Sequence, residues 1–169
     1  LDKDLNRYIQ GKLTYRTTRD PVPVSTNIKI APLSANEDAV IMARLERLNA
    51  RGDAERLTKA RDALRKLAAA QPANADVQFE LAAVEWDLDG DKRDLPAMQA
   101  ALDKVLAAKP DHVRANVLLG RLKLYQLRKK DEDDAAAWRE ARKPIQLANR
   151  TDPDDPVPLL SLIHISEPT

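Results

Sequence analysis

A chain that carries out chemistry needs nucleophiles, acids, bases or metal ligands at spacings that bring them together, and here that inventory is thin. There is no cysteine, no Gly-rich phosphate loop, no Gly-x-Ser-x-Gly and no His-Glu-x-x-His. His112 stands alone in the first turn of a helical pattern, and one imidazole without a spaced second ligand makes a poor metal site. A solvent-facing or interhelical role is expected for it. Asp87, Asp89, Asp91 and Asp94 surround Gly90 as the acids of a calcium loop would. Counted from Asp87, however, the twelfth residue is Met98, and counted from Glu85, which does place Gly90 sixth, it is Pro96. Neither offers the bidentate carboxylate that such a loop requires, so capping and solvation are the expected roles. Arg128-Lys129-Lys130 followed by Asp131-Glu132-Asp133-Asp134 reads as a solvated loop, the alternative being a docking element for a charged partner. Trp86 and Trp138 could stack on a ligand, yet both fall on apolar helical faces and are expected in the core. No catalytic residue, metal site or cofactor site is expected, and the chain reads as a non-enzyme.

The elements that would position such residues are helical. The chain has 169 residues, 43% hydrophobic and 33% charged, with 26 Ala and 23 Leu against 4 Gly and 4% aromatics. That mixture can build a core and suits helices better than sheets. Lys+Arg number 28 and Asp+Glu 27, a formal net charge of +1, so no global field draws the chain to nucleic acid or anionic lipid. Neither partner is expected, and with no long apolar run neither is membrane insertion. The lack of cysteine fits a reducing or an oxidising compartment alike.

Leu5, Tyr8 and Ile9 fall at helical spacing before Gly11, predicting a short helix over residues 2–10. Residues 12–33, with Thr14, Tyr15, Pro21, Pro23 and the alternating Asn27-Ile28-Lys29-Ile30, read as an extended linker with one short strand. Ser34-Ala35-Asn36-Glu37 is a capping box, and Ile41, Leu45 and Leu48 follow at helical spacing before Gly52, predicting a helix over 35–51 with those three on its buried face. A second helix runs from Ala54 through Leu57, Ala60, Leu64 and Leu67 to about Gln71, stopped by Pro72. The pattern then repeats. Asn74 caps a helix carrying Val77, Leu81 and Val84 that ends at Gly90, and its partner starts after Asp94 and reaches Pro110. Asp111 opens a helix through Leu127. The last runs from about Asp134 to Asp152-Pro153, with Pro144 expected to distort it.

Fixed punctuation makes this a repeat. Ala60, Leu64, Leu67 and Pro72 match Met98, Leu102, Val105 and Pro110, which match Ala141, Ile145, Ala148 and Pro153, at offsets of four, three and five. At these positions the sequence resembles the tetratricopeptide repeat (TPR), a bacterial and more general helical-repeat family, whose second helix has a small residue, a large apolar residue, a small residue and a terminal proline. Phe79, Ala82, Ala83 and Trp86 stand where that family's first helix has its signature residues, and Leu119-Gly120 repeats the leucine-glycine pair. The prolines are 38 and 43 residues apart, longer than the family's period of about 34. The resemblance implies an all-α fold, a right-handed superhelix of antiparallel helical hairpins (a TPR-like solenoid) preceded by a short irregular or extended N-terminal segment. Its repeats would span about 35–72, 74–110 and 111–153, with a fourth beginning inside a domain of 34–160. Leu64, Leu81, Leu102, Leu118 and Ile145 are expected in its core.

The whole chain also resembles the C-terminal half of bacterial proteins that join a zincin-type, peptidase-like domain to such repeats, through Leu5-Asn6-Arg7-Tyr8-Ile9-Gln10-Gly11 and Asn149-Arg150-Thr151-Asp152-Pro153. Residues 1–33 would then be a remnant of the upstream domain plus linker, the chain a fragment, and its parent an envelope or secreted protein. Ser161 to Thr169 resembles the translation of a sequencing adapter. Those residues are expected to be non-native, irregular and nearly free of contacts, leaving the outer face of helix 134–150, near Ile145, uncovered.

Stacked hairpins leave a concave groove lined by the first helix of each pair. Its polar positions, Arg44, Arg47, Gln78, Glu85, Asn116 and Lys123, are the candidate partner-binding residues. The expected function is a non-catalytic protein–protein interaction scaffold for a protein or peptide partner, which could be an upstream domain of the same parent. The alternative is an accessory domain of a metallopeptidase-like enzyme, docking on it or presenting substrate.

Overall fold

The computed structural model describes residues 32–50, 52–131 and 134–163. The helix expected over 2–10, the strand near 27–30 and the tail beyond 163 lie outside the described residues. Leu33–Thr169 forms one compact unit, separate from Leu1–Pro32, and its described part is all-α, with no strand.

The helices are α1 Ala35–Asn49, α2 Ala54–Ala70, α3 Ala75–Asp87, α4 Leu95–Ala108, α5 Val113–Lys129, α6 Ala135–Thr151 and α7 Pro156–Ile163, with a single 3-10 turn at Gly90–Lys92. Side-chain caps set most of the starts. Ser34 Oγ accepts from Glu37 N while Glu37 Oε2 accepts from Ser34 N at 2.9 Å, and this capping box holds the Glu37 carboxyl below its usual range. Asp53, Asn74, Asp94 and Asp134 accept in the same way from the first turns of α2, α3, α4 and α6. For α5 the cap is His112, whose Nδ1 accepts from Ala115 N at 3.1 Å, rather than Asp111. Gly52 follows α1 at φ +83, a left-handed turn that a side chain would strain. α3 ends at Asp87, short of Gly90, which opens the 3-10 turn instead. α6 runs on through Pro144 without ending there.

Consecutive helices pack on each other along the whole series, and α1 also meets α3, as α5 meets α7. The repeat-matched positions Ala60, Leu64, Met98, Leu102, Val105, Ala141, Ile145 and Ala148 are all buried, with Leu67 partly so. Leu81 and Leu118 are buried as well. One apolar cluster extends from Val40 to Leu122, and a second joins Leu124, Trp138, Ala141 and Ile145 between α5 and α6.

Two expectations are corrected. Ile41, Leu45 and Leu48 are exposed at 39%, 46% and 40%, and α1 buries Val40, Ala43, Arg47 and Ala50 instead, including the residue at its end. The buried face lies about 150° around the helix from the expected one, on the side where Arg47 meets the carboxylates of α3. The second correction concerns the C-terminus. α7 continues to Ile163, Ser161 is buried, and Ile145 is wholly covered. Ile145 is covered by Gly120 and Leu124 of α5 rather than facing outward, and α7 packs on α6 besides; Leu147 is an exposed large apolar residue of α6.

Candidate functional site

The six candidate groove residues do not form one polar surface, because four of them are buried and consumed inside the fold. Arg47 Nε donates to Glu80 Oε2 at 3.0 Å and its Nη1 pairs with Asp87, while Arg44 Nε reaches Glu80 Oε1 at 2.6 Å. Glu80, fully buried, is thus gripped by two arginines of α1. Burying a carboxylate costs several kcal/mol unless its charge is met in this way. Glu85, one and a half turns on, faces the other side of α3. Its Oε1 accepts from Arg65 Nη2 at 2.8 Å and its Oε2 from Asp94 N at 3.1 Å, so it ties α2 to the start of α4.

Gln78 and Asn116 are a matched pair. Gln78 Nε2 donates to Pro72 O at 3.3 Å and to Ala68 O at 3.4 Å; Asn116 Nδ2 donates to Pro110 O at 2.9 Å and to His112 O at 3.2 Å. Each amide sits six residues beyond the proline that ends a repeat and satisfies that proline's carbonyl. Both amides thus clip the turn before their own helix from within. The recurrence of an amide side chain at one offset from Pro72 and Pro110 is the sequence signal that marks them; at the third position, after Pro153, stands Leu159. Of the remaining two candidates, Arg44 is half-exposed beside its ion pair, and Lys123 lines a depression of about 500 Å³ between α5 and α6.

The aspartates around Gly90 are dispersed rather than convergent. Asp87 pairs with Arg47, and Asp94 caps α4 and receives Arg65 at 2.9 Å. Among the described residues no group of three or more His, Cys, Asp or Glu could hold a metal. Arg128 and Lys129 close α5, and Asp134 caps α6, so the described ends of that charge run serve helix termini. His112 stacks on Phe79 with ring centroids 5.1 Å apart. Burial pushes its imidazole below the usual range, with the Lys109 and Arg114 charges adding to that and Asp76 opposing it.

Two adjoining clefts nevertheless share Trp86 and Arg121. One, about 370 Å³, is lined by Arg47, Phe79, Asp87, Arg114 and Asp155 among others. The other, about 340 Å³, lies between α3, α5 and α7 and is lined by Trp86, Arg93, Arg121, Leu124, Tyr125, Arg128, Leu160 and Ser161. Trp86 meets Tyr125 edge to face at 6.1 Å, and the Arg93 guanidinium lies 4.7 Å from the Trp86 centroid and 5.3 Å from that of Tyr125. Arg121 gives Nε and Nη2 to Ser161 Oγ at 3.2 and 2.8 Å. Burial lowers the pKa of Arg121, and that of Arg114 with partial relief from Glu80; both remain cations. Sequence reasoning missed this cluster because Arg93 lies in an interhelical loop and only the packing of α3 on α5 brings it to Tyr125.

No protein-family model, curated protein or solved structure matched the chain significantly. Among the described residues no helix is long and apolar enough to cross a membrane.

Proposed function

We propose that residues 34–160 are a TPR-like array, coiled as a right-handed superhelix, whose role is to bind a protein or peptide rather than to catalyse a reaction. The observation that carries this reading is the placement of the two clefts. One is walled by α1, α3, α5 and α7 and the other by α3, α5 and α7 with Arg93 from the loop before α4; these are the first helices of successive hairpins, the side that a stacked-hairpin array turns to its ligand. Further support comes from the repeat-matched small and apolar positions, which fill the interior at equivalent places, and from the Gln78 and Asn116 clips at each of two junctions. The two carboxylates that line the clefts, Asp87 and Asp155, pair with Arg47 and accept from Val157 N respectively, leaving little for acid–base work.

The test is selection of peptides from a random display library on the immobilised full chain, followed by mapping of the bound peptides by amide chemical shifts. Binders that perturb α3 and α5 on the cleft side are expected. Recovery of none, or binders confined to the outer helices α2, α4 and α6, would refute the reading.

A further inference from the structure

The cleft between α1, α3 and α5 holds a buried cation with one donor unspent. Arg47 is 3% exposed and lines that cleft. Its Nε donates to Glu80 Oε2 and its Nη1 to Asp87 Oδ2. Nη2 has no acceptor among the described residues, yet it is not sealed in the interior. Asp87, on the same cleft wall, meets Arg47 through Oδ2 alone, so among the described residues its Oδ1 is an unused acceptor. A buried donor without an acceptor costs free energy that a ligand atom at this point would recover. None of the residues lining the cleft lies beyond Val157.

Charge and apolar surface then select the ligand. Around Arg47 the charges already balance, Arg44 and Arg47 standing against Glu80 and Asp87, so the unspent donor calls for a neutral oxygen rather than a carboxylate. Next to this polar pair, Phe79, Ala83, Val117 and Leu118 give the cleft an apolar floor. Phe79 is fixed there by His112, 5.1 Å away, and by the Arg114 guanidinium, 4.8 Å from its centroid.

We infer that this cleft binds one residue of an extended, uncharged peptide segment by its main chain, with Arg47 Nη2 donating to the carbonyl, Asp87 Oδ1 accepting from the N–H, and the large apolar side chain of that residue resting on the floor. The inference rests on the scaffold reading and names the chemistry of its partner. In an extended chain the N–H and C=O of one residue point the same way, as they do toward a neighbouring strand, so a donor and an acceptor on one wall read that pair as a strand edge would. The hydrogen bonds fix direction and register, and the apolar side chain supplies most of the attraction. An acidic segment would have to bring its charge beside Asp87 and Glu80 and would gain less.

The test titrates the isotopically labelled full chain with a capped serine-rich peptide carrying one central leucine and follows amide and arginine side-chain shifts. Perturbation of Ala83, Val117, Leu118 and the Arg47 Nε–H signal is expected, with the millimolar affinity that one anchor and a pair of hydrogen bonds allow. N-methylation of the leucine nitrogen, which removes the donor to Asp87, should weaken binding about tenfold, and serine in place of the leucine should abolish it. Asp87→Ala should weaken the leucine peptide about tenfold as well but the N-methyl peptide no further, because both changes remove the same hydrogen bond. Asp87 also pairs with Arg47, so the substitution made in the peptide decides the matter if that variant fails to fold. No shift with the leucine peptide, undiminished binding of its N-methyl form, equal binding of the all-serine peptide, additive losses in the Asp87→Ala cycle, or tighter binding with glutamates in place of the serines would overturn the inference. If library peptides map to the clefts while any of these outcomes holds, the inference fails and the scaffold reading stands; if no library peptide binds, both fall.

Discussion

Gly120 and Ile145 are in contact closer than any side chain at position 120 would permit. A β-carbon built on Gly120 overlaps Ile145 Cγ1 and lies 2.8 Å from Cδ1 and 3.3 Å from Ala141 O. Both residues are buried, so α6 seats closely on α5 here. In an exposed helix interior Gly→Ala stabilises by about 1 kcal/mol. Here Gly120→Ala is expected to destabilise by about 1–3 kcal/mol through overpacking, and the same substitution made in an Ile145→Ala background, itself a cavity variant, should cost much less. Urea unfolding of the single and double variants reads the sign, and a stabilising Gly120→Ala would show that α6 does not sit there.

The Glu80 cluster predicts an asymmetric response. Glu80→Ala leaves buried Arg47 with Asp87 alone and should cost about 3 kcal/mol, whereas replacing Arg47 by Met and Glu80 by Leu together should cost less than the two single losses summed. A double-mutant cycle measures this. If the double loss equals the sum of the two single losses, the buried pair contributes no coupling.

Stability should depend on pH through His112. Its folded pKa is lowered from 6.5, first by burial and then by the Lys109 and Arg114 charges, with Asp76 opposing, so near that value the unfolded chain binds protons more readily than the folded one. The stabilisation is complete above about pH 6.5 and declines as pH falls through the lower folded value. Protonation also removes Nδ1 as the acceptor for Ala115 N. His112→Asn keeps a cap without the titration. The midpoint of unfolding followed from pH 7.5 to 5 should fall further for the parent chain than for this variant, and parallel profiles would rule the coupling out.

Leu102 and Leu45 look alike as sequence and differ in consequence. Leu102 is wholly buried, and Leu102→Ala should cost about 2–5 kcal/mol. Leu45 is nearly half exposed, so Leu45→Ser should stay within about 0.5 kcal/mol of neutral. Comparable losses from thermal unfolding would mean that the face of α1 has been assigned wrongly.

What the sequence determined by itself is local or repeated. The capping residues Ser34, Asp53, Asn74, Asp94 and Asp134 act within three residues of themselves, and Pro72, Pro110 and Pro153 punctuate by steric rules that need no neighbour. The buried second-helix positions were legible because the same offsets recur with the same residue sizes. Tertiary structure decided which face of α1 is buried, since periodicity finds an apolar stripe but not the charges opposite, and Arg47, paired with Glu80 and Asp87, is buried with Val40, Ala43 and Ala50 in place of Ile41, Leu45 and Leu48. It also turned Gln78, Glu85 and Asn116 from surface candidates into internal clips and gathered Arg93, Arg121 and Arg128 into one cleft. Whether a polar side chain meets solvent or a partner depends on what a distant segment places against it, and no spacing along the chain encodes that distance.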